Sequence, residues 1–452
     1  MSSSERRTAS ADTSKPAIAP LYRRLPHGPH RLGTEEVLRN QRTRMHGAMI
    51  EAVAANGYER TSVKQVVGLA GVSRRSFYEQ FANKQECFLA TYDVIATRGA
   101  GRVSAAYRGA GGGTEDRLQA AFDELSEAIG RNWNGASLVI LEAPKVGAPA
   151  LVRLRRASQT FEQMLSATFE YGSASNRLPA PVIRGIAGGL HEAMSRCLRE
   201  SSAEKAPQLA EEMLHWTLLF QTPAARQLAE RLSERARQAL REGRKAPSPR
   251  CTSGRAAGRR DERAELLEQA LRLAVVEGYH ELSAPQIADA ANVSIDAFFE
   301  LYAGKDECFL AALDMLGDQL KAVASDPDLR GAEWPRAVRS TIRELMSYLA
   351  EHPVYAHTIA EGAFAAGPEA AARNLRMAYG IAARLTEGAP DEARTVHVVQ
   401  GVAGALSHTI RCHVASGQIE LLSVLSDYLT YIALTPFIGA EQAAAMLLEE
   451  AA

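Results

Sequence analysis

Between positions 74 and 84 the chain carries Arg74, Arg75, Ser76, Tyr78 and Lys84: two guanidinium forks, two hydroxyls and an ammonium. Guanidinium groups grip guanine edges or phosphates in pairs of hydrogen bonds, and hydroxyls and ammonium groups suit phosphate oxygens, so this set recognises duplex DNA rather than transforming a substrate. The chemistry requires one surface that presents them, and the stretch 57–90, GYERTSVKQVVGLAGVSRRSFYEQFANKQECFLA, supplies its elements. Ser62 followed by Gln65 is a capping-box pair that starts a short helix. Ala70-Gly71-Val72 interrupts it with a glycine able to take a positive φ, and Ser73 starts a second helix as its N-cap. On that helix Phe77 and Phe81 lie one turn apart and face the core, which turns Arg74, Arg75, Ser76 and Tyr78 outward. Two short helices joined by a tight glycine turn form a helix-turn-helix. Asn83 with Glu86 opens a further helix, placing Lys84 in a first turn where free amides and a cation can both meet phosphate.

At these residues the segment AGVSRRSFYEQFANKQECF resembles the recognition segment of the tetracycline-repressor (TetR) family. The resemblance implies an all-α protein that represses transcription in the usual case. It also implies DNA-contacting roles for Ser62, Lys64, Arg74, Arg75, Ser76, Tyr78 and Lys84. Gln80 departs from the pattern, which often has a histidine or tyrosine there to touch the DNA backbone.

Around this segment, residues 1–36 mix Ser, Thr, Pro and basic side chains without apolar periodicity, the composition of a disordered basic arm. Met45, Met49, Ile50 and Val53 then space out one amphipathic helix over 37–56 that packs on the helix-turn-helix, within a DNA-binding domain over 37–98. From 99 to 241 the pattern is helical, with a Gly109–Gly113 break and no alternation of strand period. TetR-like proteins use such a region to bind a small effector and to dimerise. Phe122, Trp133, Phe161, Phe169 and Tyr171 are candidates for an apolar pocket there, although an aromatic set at helical spacing is more often plain core. Gly185, Gly188 and Gly189 fall on one helix, and glycine costs about 1 kcal/mol against alanine in a helix, so they mark a close helix–helix approach.

The chain then repeats itself. Residues 278–311, GYHELSAPQIADAANVSIDAFFELYAGKDECFLA, align with 57–90 without a gap and match at about half the positions. Further echoes pair Glu142 with Glu361, Arg196-Cys197 with Arg411-Cys412, Thr222-Pro223 with Thr435-Pro436, and Gly185 and Gly188 with Gly401 and Gly404. Two tandem modules follow: a basic linker over 242–262, a degenerate helix-turn-helix domain over 263–318 and a second helical bundle over 319–452. The second copy keeps Ser283 and Gln286 for the cap, Asn292 in place of Gly71, and Phe298 and Tyr302 for the core. It discards the outward chemistry: Arg74, Arg75, Ser76, Tyr78 and Gln80 become Ile295, Asp296, Ala297, Phe299 and Leu301, and Lys64 becomes Pro285. Lys305 alone is retained, opposite Lys84.

Charge divides the chain in the same way. Residues 1–263 hold 40 Lys+Arg against 27 Asp+Glu and residues 264–452 hold 12 against 26, so a net charge of −1 conceals a basic half and an acidic half. The five cysteines include no CxxC, and His408 and His413, five apart, share no helix face, so neither a metal site nor a cofactor is expected. No nucleophile elbow, P-loop or HExxH occurs, which argues against an enzyme. With no run of about 18 uncharged apolar residues and no signal peptide, the expectation is a cytoplasmic protein without a membrane partner. The expected partners are double-stranded DNA, an unidentified small-molecule effector, and either the other module of the same chain as a pseudo-dimer or a second chain as a homodimer. The competing reading is a ligand-sensing or adaptor protein in which neither copy binds DNA.

Overall fold

The computed structural model describes residues 34–172, 178–200, 206–221, 259–325 and 333–449, with scattered positions from 204 to 238. These residues are mostly helical, joined by turns and short loops, with no strand among them. Most of the basic arm, most of the basic linker, the Tyr171 side chain and the Thr222-Pro223 step lie outside the described residues.

The chain divides into two compact units, residues 1–92 and 93–452. In the first, α1 (Thr34–Arg60) is followed by α2 (Val63–Ala70) and α3 (Arg74–Tyr78), and α4 (Lys84–Gly109) leads out of the unit. Met45, Met49, Ile50 and Val53 of α1 are buried as their spacing requires, together with Val66, Phe77, Phe81 and Phe88. Gly57, with φ 73°, breaks α1 one turn before its end and redirects the chain into α2.

The second unit holds both bundles and the second helix-turn-helix around a continuous hydrophobic core. Its first-module helices are α5 (Thr114–Arg131), α6 (Trp133–Ser137), α7 (Ala148–Gly172), α8 (Ala180–Glu200) and α9 (Ala206–Leu218). The second module continues with α10 (Arg259–Leu273), α11 (Ala284–Ala290), α12 (Ile295–Leu301), α13 (Lys305–Val323), α14 (Trp334–Glu351), α15 (Pro353–His357), α16 (Pro368–Leu385), α17 (Val396–Ala415), α18 (Ser426–Ile438) and α19 (Ala440–Glu449). The echo between the modules is structural: a π-helical turn at Leu138–Glu142 recurs at Thr358–Gly362, and each is followed by a positive-φ glycine, Gly147 or Gly367, before the next long helix.

The two modules meet through α8 and α17. A Cβ on Gly188 would lie 2.6 Å from the Gly404 carbonyl oxygen and 2.9 Å from the Ala405 Cα, so these helices cross backbone against backbone. The glycine cost noted from the sequence therefore has its packing reason. Tyr431 closes the seam by donating its hydroxyl to the Phe220 carbonyl at 2.9 Å, and the Arg155 guanidinium lies 3.3 Å from the Glu361 carboxylate. The two helical bundles thus pack against each other within the second unit. Only the segment Ile419–Ile438 is long and apolar enough to cross a membrane among the described residues, and 72% of it is buried inside the protein.

Candidate nucleic-acid interface

The first helix-turn-helix is held by short-range hydrogen bonds that its sequence specifies. Ser62 accepts from the Gln65 amide at 3.3 Å and its own amide donates to Gln65 Oε1 at 2.8 Å, which closes the capping box at the start of α2. Gly71 takes φ 60°, and the Val72 amide reaches the Val67 carbonyl at 3.2 Å to end that helix. Ser73 then accepts from the Ser76 amide at 3.0 Å. With Phe77 fully buried beneath α3, Arg74, Arg75 and Tyr78 are exposed, as are Ser62 and Lys64 at the start of α2, and Ser76 is half-buried. Arg75 Nε donates to Glu79 at 2.9 Å, an exposed contact that water and salt weaken and that a phosphate or base edge can replace.

Lys84 departs from the expectation of a free cation. Its ammonium sits 4.2 Å over the Tyr58 ring and donates to the Tyr58 and Glu59 carbonyls at 3.0 and 3.3 Å, at the end of α1. Partial burial pulls its pKa below the ordinary lysine value, against the opposing pull of Glu59. Two of its three donors therefore tie the frame, and one remains.

Sequence reasoning passed over Arg44. This buried side chain on α1 donates to the carbonyls of Ala70 and, at 2.7 Å, of Gly71, and so clamps the turn between the two helices. The available signal is an arginine set against the buried Met45, next to the apolar stripe of α1, where a charge needs a partner.

The second helix-turn-helix repeats the frame. Asn292 takes φ 54° where Gly71 takes 60°, and the Val293 amide bonds the Ala288 carbonyl at 2.9 Å as Val72 bonds Val67. Lys305 donates to the Tyr279, His280 and Leu282 carbonyls and lies 4.9 Å over the Tyr279 ring. Its retention opposite Lys84 is explained by this frame alone. Phe298 and Cys308 are buried like Phe77 and Cys87. One expectation is corrected: Ser283 makes no bond to a backbone amide, because its hydroxyl donates to Gln286 Oε1 while the Gln286 amide group turns to Glu277 at 3.0 Å. The fixed φ of Pro285 in the first turn of α11 supports the helix start instead.

What the two frames present is opposite. Phe299 is 54% exposed where Tyr78 is 56% exposed, and Ile295 and Leu301 stand at 37%. The same scaffold therefore offers guanidinium and hydroxyl groups in one copy, and an apolar, acidic face in the other.

The aromatic residues expected to line a pocket in the first bundle divide between core and partial exposure, with Phe122 and Phe169 buried and Trp133 and Phe161 half-buried. A cavity of about 80 Å³ lies in the second bundle, among Leu320, Ile342, Met346, Met377, Leu406 and Leu429. Spacing alone could not separate the two bundles, since both are apolar at helical period.

The family model of the bacterial regulatory proteins of the tetR family matches twice, at residues 48–91 and 266–312. No curated protein matches the chain. Among solved structures, the fatty acid degradation regulator FadR from Bacillus halodurans is similar at 15% identity, covering 38% of this chain and 96% of that one with a TM-score of 0.34. A TetR-like transcriptional regulator from Rhodococcus sp. RHA1 is similar at 15% identity over 42% and 98%, TM-score 0.34. FadR from Bacillus subtilis, solved in complex with stearoyl-CoA, is similar at 14% over 38% and 96%, TM-score 0.33. The two matches of the family model fall on the two helix-turn-helix units described above, so each unit is a helix-turn-helix of the tetR-family kind, which fits a DNA-binding transcription regulator built of two modules.

Proposed function

We propose that this regulator is a sequence-specific repressor whose first module alone reads double-stranded DNA. One observation carries the reading: closely matching frames present Arg74, Arg75 and Tyr78 in one copy and Ile295, Asp296 and Phe299 in the other. Arg74 and Arg75 reach base edges, Ser62, Lys64, Ser76 and Tyr78 hold the phosphate backbone, and Lys84 offers its remaining donor to a phosphate while tying the turn. An aspartate beside exposed apolar side chains is repelled by the phosphates that the first copy attracts. The second module acts as a built-in partner and sensor. Its cavity, lined almost wholly by aliphatic side chains, suits a small apolar effector that weakens DNA binding by favouring the conformation unable to bind.

The test is binding to the upstream region of the protein's own gene, followed by gel shift and footprinting. Arg74→Ala and Arg75→Ala should each cost on the order of 1–3 kcal/mol. Ile295→Ala and Phe299→Ala should leave affinity unchanged in folded protein. Because the two bundles pack against each other within one chain, each chain brings one reading head, and a single chain should protect a short site without inverted symmetry. Equal losses from Arg75→Ala and Phe299→Ala would overturn the asymmetry, and an inverted repeat would mean that two chains share the operator.

A further inference from the structure

Where the modules meet, three side chains of different chemistry converge. Glu162 comes from α7 of the first module, and His408 and Cys412 come from α17 of the second. The two α17 residues are four apart and so share a helix face, a pairing hidden when His408 is read against His413. His408 Nε2 lies 3.0 Å from Glu162 Oε1 and 3.4 Å from Cys412 Sγ, and Cys412 Sγ lies 3.9 Å from Glu162 Oε1. A tetrahedral ion with bonds of about 2.0 Å to nitrogen and oxygen and about 2.3 Å to sulfur requires ligand–ligand edges of roughly 3.3–3.6 Å. The observed triangle brackets those edges with no backbone movement needed. Its chemistry agrees as well, since carboxylate, neutral imidazole and thiolate together bring two negative charges to a divalent cation.

We infer that Glu162, His408 and Cys412 form a three-ligand site for a borderline-soft divalent ion, with zinc the best fit, which staples the first module to the second. The Ser158 hydroxyl lies beside the triangle, 3.1 Å from both His408 Nε2 and Glu162 Oε1, and three protein ligands would leave a fourth position to a water or an exogenous ligand. Arg184 stands 3.7 Å from the other Glu162 oxygen, Oε2, and not on the side of the triangle. Together with Arg411, which adjoins Cys412 on α17, it opposes an incoming cation, so the site suits an ion that exchanges rather than one locked in during folding. Metal entry releases protons, because the thiol must ionise and the imidazole must be neutral to ligate.

The test uses the full chain, reduced and stripped of metal, titrated with Co2+ and then with Zn2+. The expected result is one Co2+ per chain, a near-ultraviolet sulfur-to-cobalt charge-transfer band, and loss of that band as Zn2+ displaces the cobalt. Cys412→Ser should remove the band, Cys197→Ser should keep it, and Cys412→His should retain binding without it. Even partners outside the first coordination sphere are worth about 10- to 100-fold in affinity, so Glu162→Gln should weaken binding at least that much. Circular dichroism establishes that each variant is folded. Absence of the band in the native chain, its survival in Cys412→Ser, or unchanged affinity in Glu162→Gln would overturn the site.

Discussion

The crossing of α8 and α17 makes a quantitative prediction through a pair of glycine substitutions. Gly188 and Gly380 both lie inside long helices, α8 and α16, so replacing either with alanine gains about the same 1 kcal/mol of helix propensity. Their surroundings differ. A Cβ at 380 meets nothing within 4 Å, whereas at 188 it meets the Gly404 carbonyl oxygen at 2.6 Å, the His408 Cβ at 2.6 Å and the Ala405 Cα at 2.9 Å. Carbonyl oxygen and Cα belong to the backbone and cannot rotate away, so the helices must separate by several tenths of an ångström along a well-packed seam. Overpacking of this kind costs about 1–3 kcal/mol, and the backbone obstacle places it in the upper part of that range. Gly380→Ala should therefore be neutral or stabilising by up to about 1 kcal/mol, and Gly188→Ala should fall about 2–3 kcal/mol below it. The assay is urea unfolding followed by tryptophan fluorescence, because Trp216 packs against Gly189 and Gly401 at the same seam and reports its opening. Gly188→Ala as stable as Gly380→Ala would refute backbone contact between the bundles and with it their packing within one chain.

Three other outcomes follow from the same structure. Lys84→Ala and Lys305→Ala should each lower stability by about 1–2 kcal/mol in thermal denaturation, since each removes charge-assisted hydrogen bonds and a ring contact that tie the frame; a loss confined to Lys84 would contradict the shared structural role. His191 is held neutral, its pKa pushed down to about 3 by burial and by the charges of Arg411, His408 and Arg199. A folded-state value below the unfolded one of about 6.5 means that the unfolded chain binds the extra proton, so stability is complete above that pH and declines towards pH 3 by at most about 1.4 kcal/mol per unit; urea midpoints against pH should show this, and His191→Gln should flatten the curve. Burial pushes the Cys87 thiol up to about 12, so it should resist a thiol reagent at pH 8 until the first unit unfolds, as mass spectrometry of the labelled peptides would show.

Much of the molecule was legible in its residues because the signals are local. The Ser62–Gln65 box, the glycine or asparagine of the two turns and the Phe77/Phe81 spacing each act within one helical turn, so reading them in order yields a helix-turn-helix twice over. The contrast between the copies was equally visible, since a residue's outward position follows from helical period and its chemistry from its type. What only the tertiary structure decided lies between residues far apart in sequence. Lys84 looked like a phosphate contact because its neighbours in sequence suggest one, yet its ammonium finds carbonyls 25 and 26 positions earlier. Arg44 and the Gly71 carbonyl are brought together in the same way by the packing of α1 on the turn. Three glycines on α8 foretold a close approach but not its partners, which packing assigns to Ile432 for Gly185, to α17 for Gly188 and to Trp216 for Gly189. The cavity and the Glu162–His408–Cys412 cluster need residues from several helices to converge, and no periodicity within one helix carries that information. The sequence by itself determined the elements and the chemistry each could present, because hydrogen bonds and periodicity act over a few residues. The tertiary structure decided which of those groups remain available, because burial and long-range contacts set what each side chain meets first.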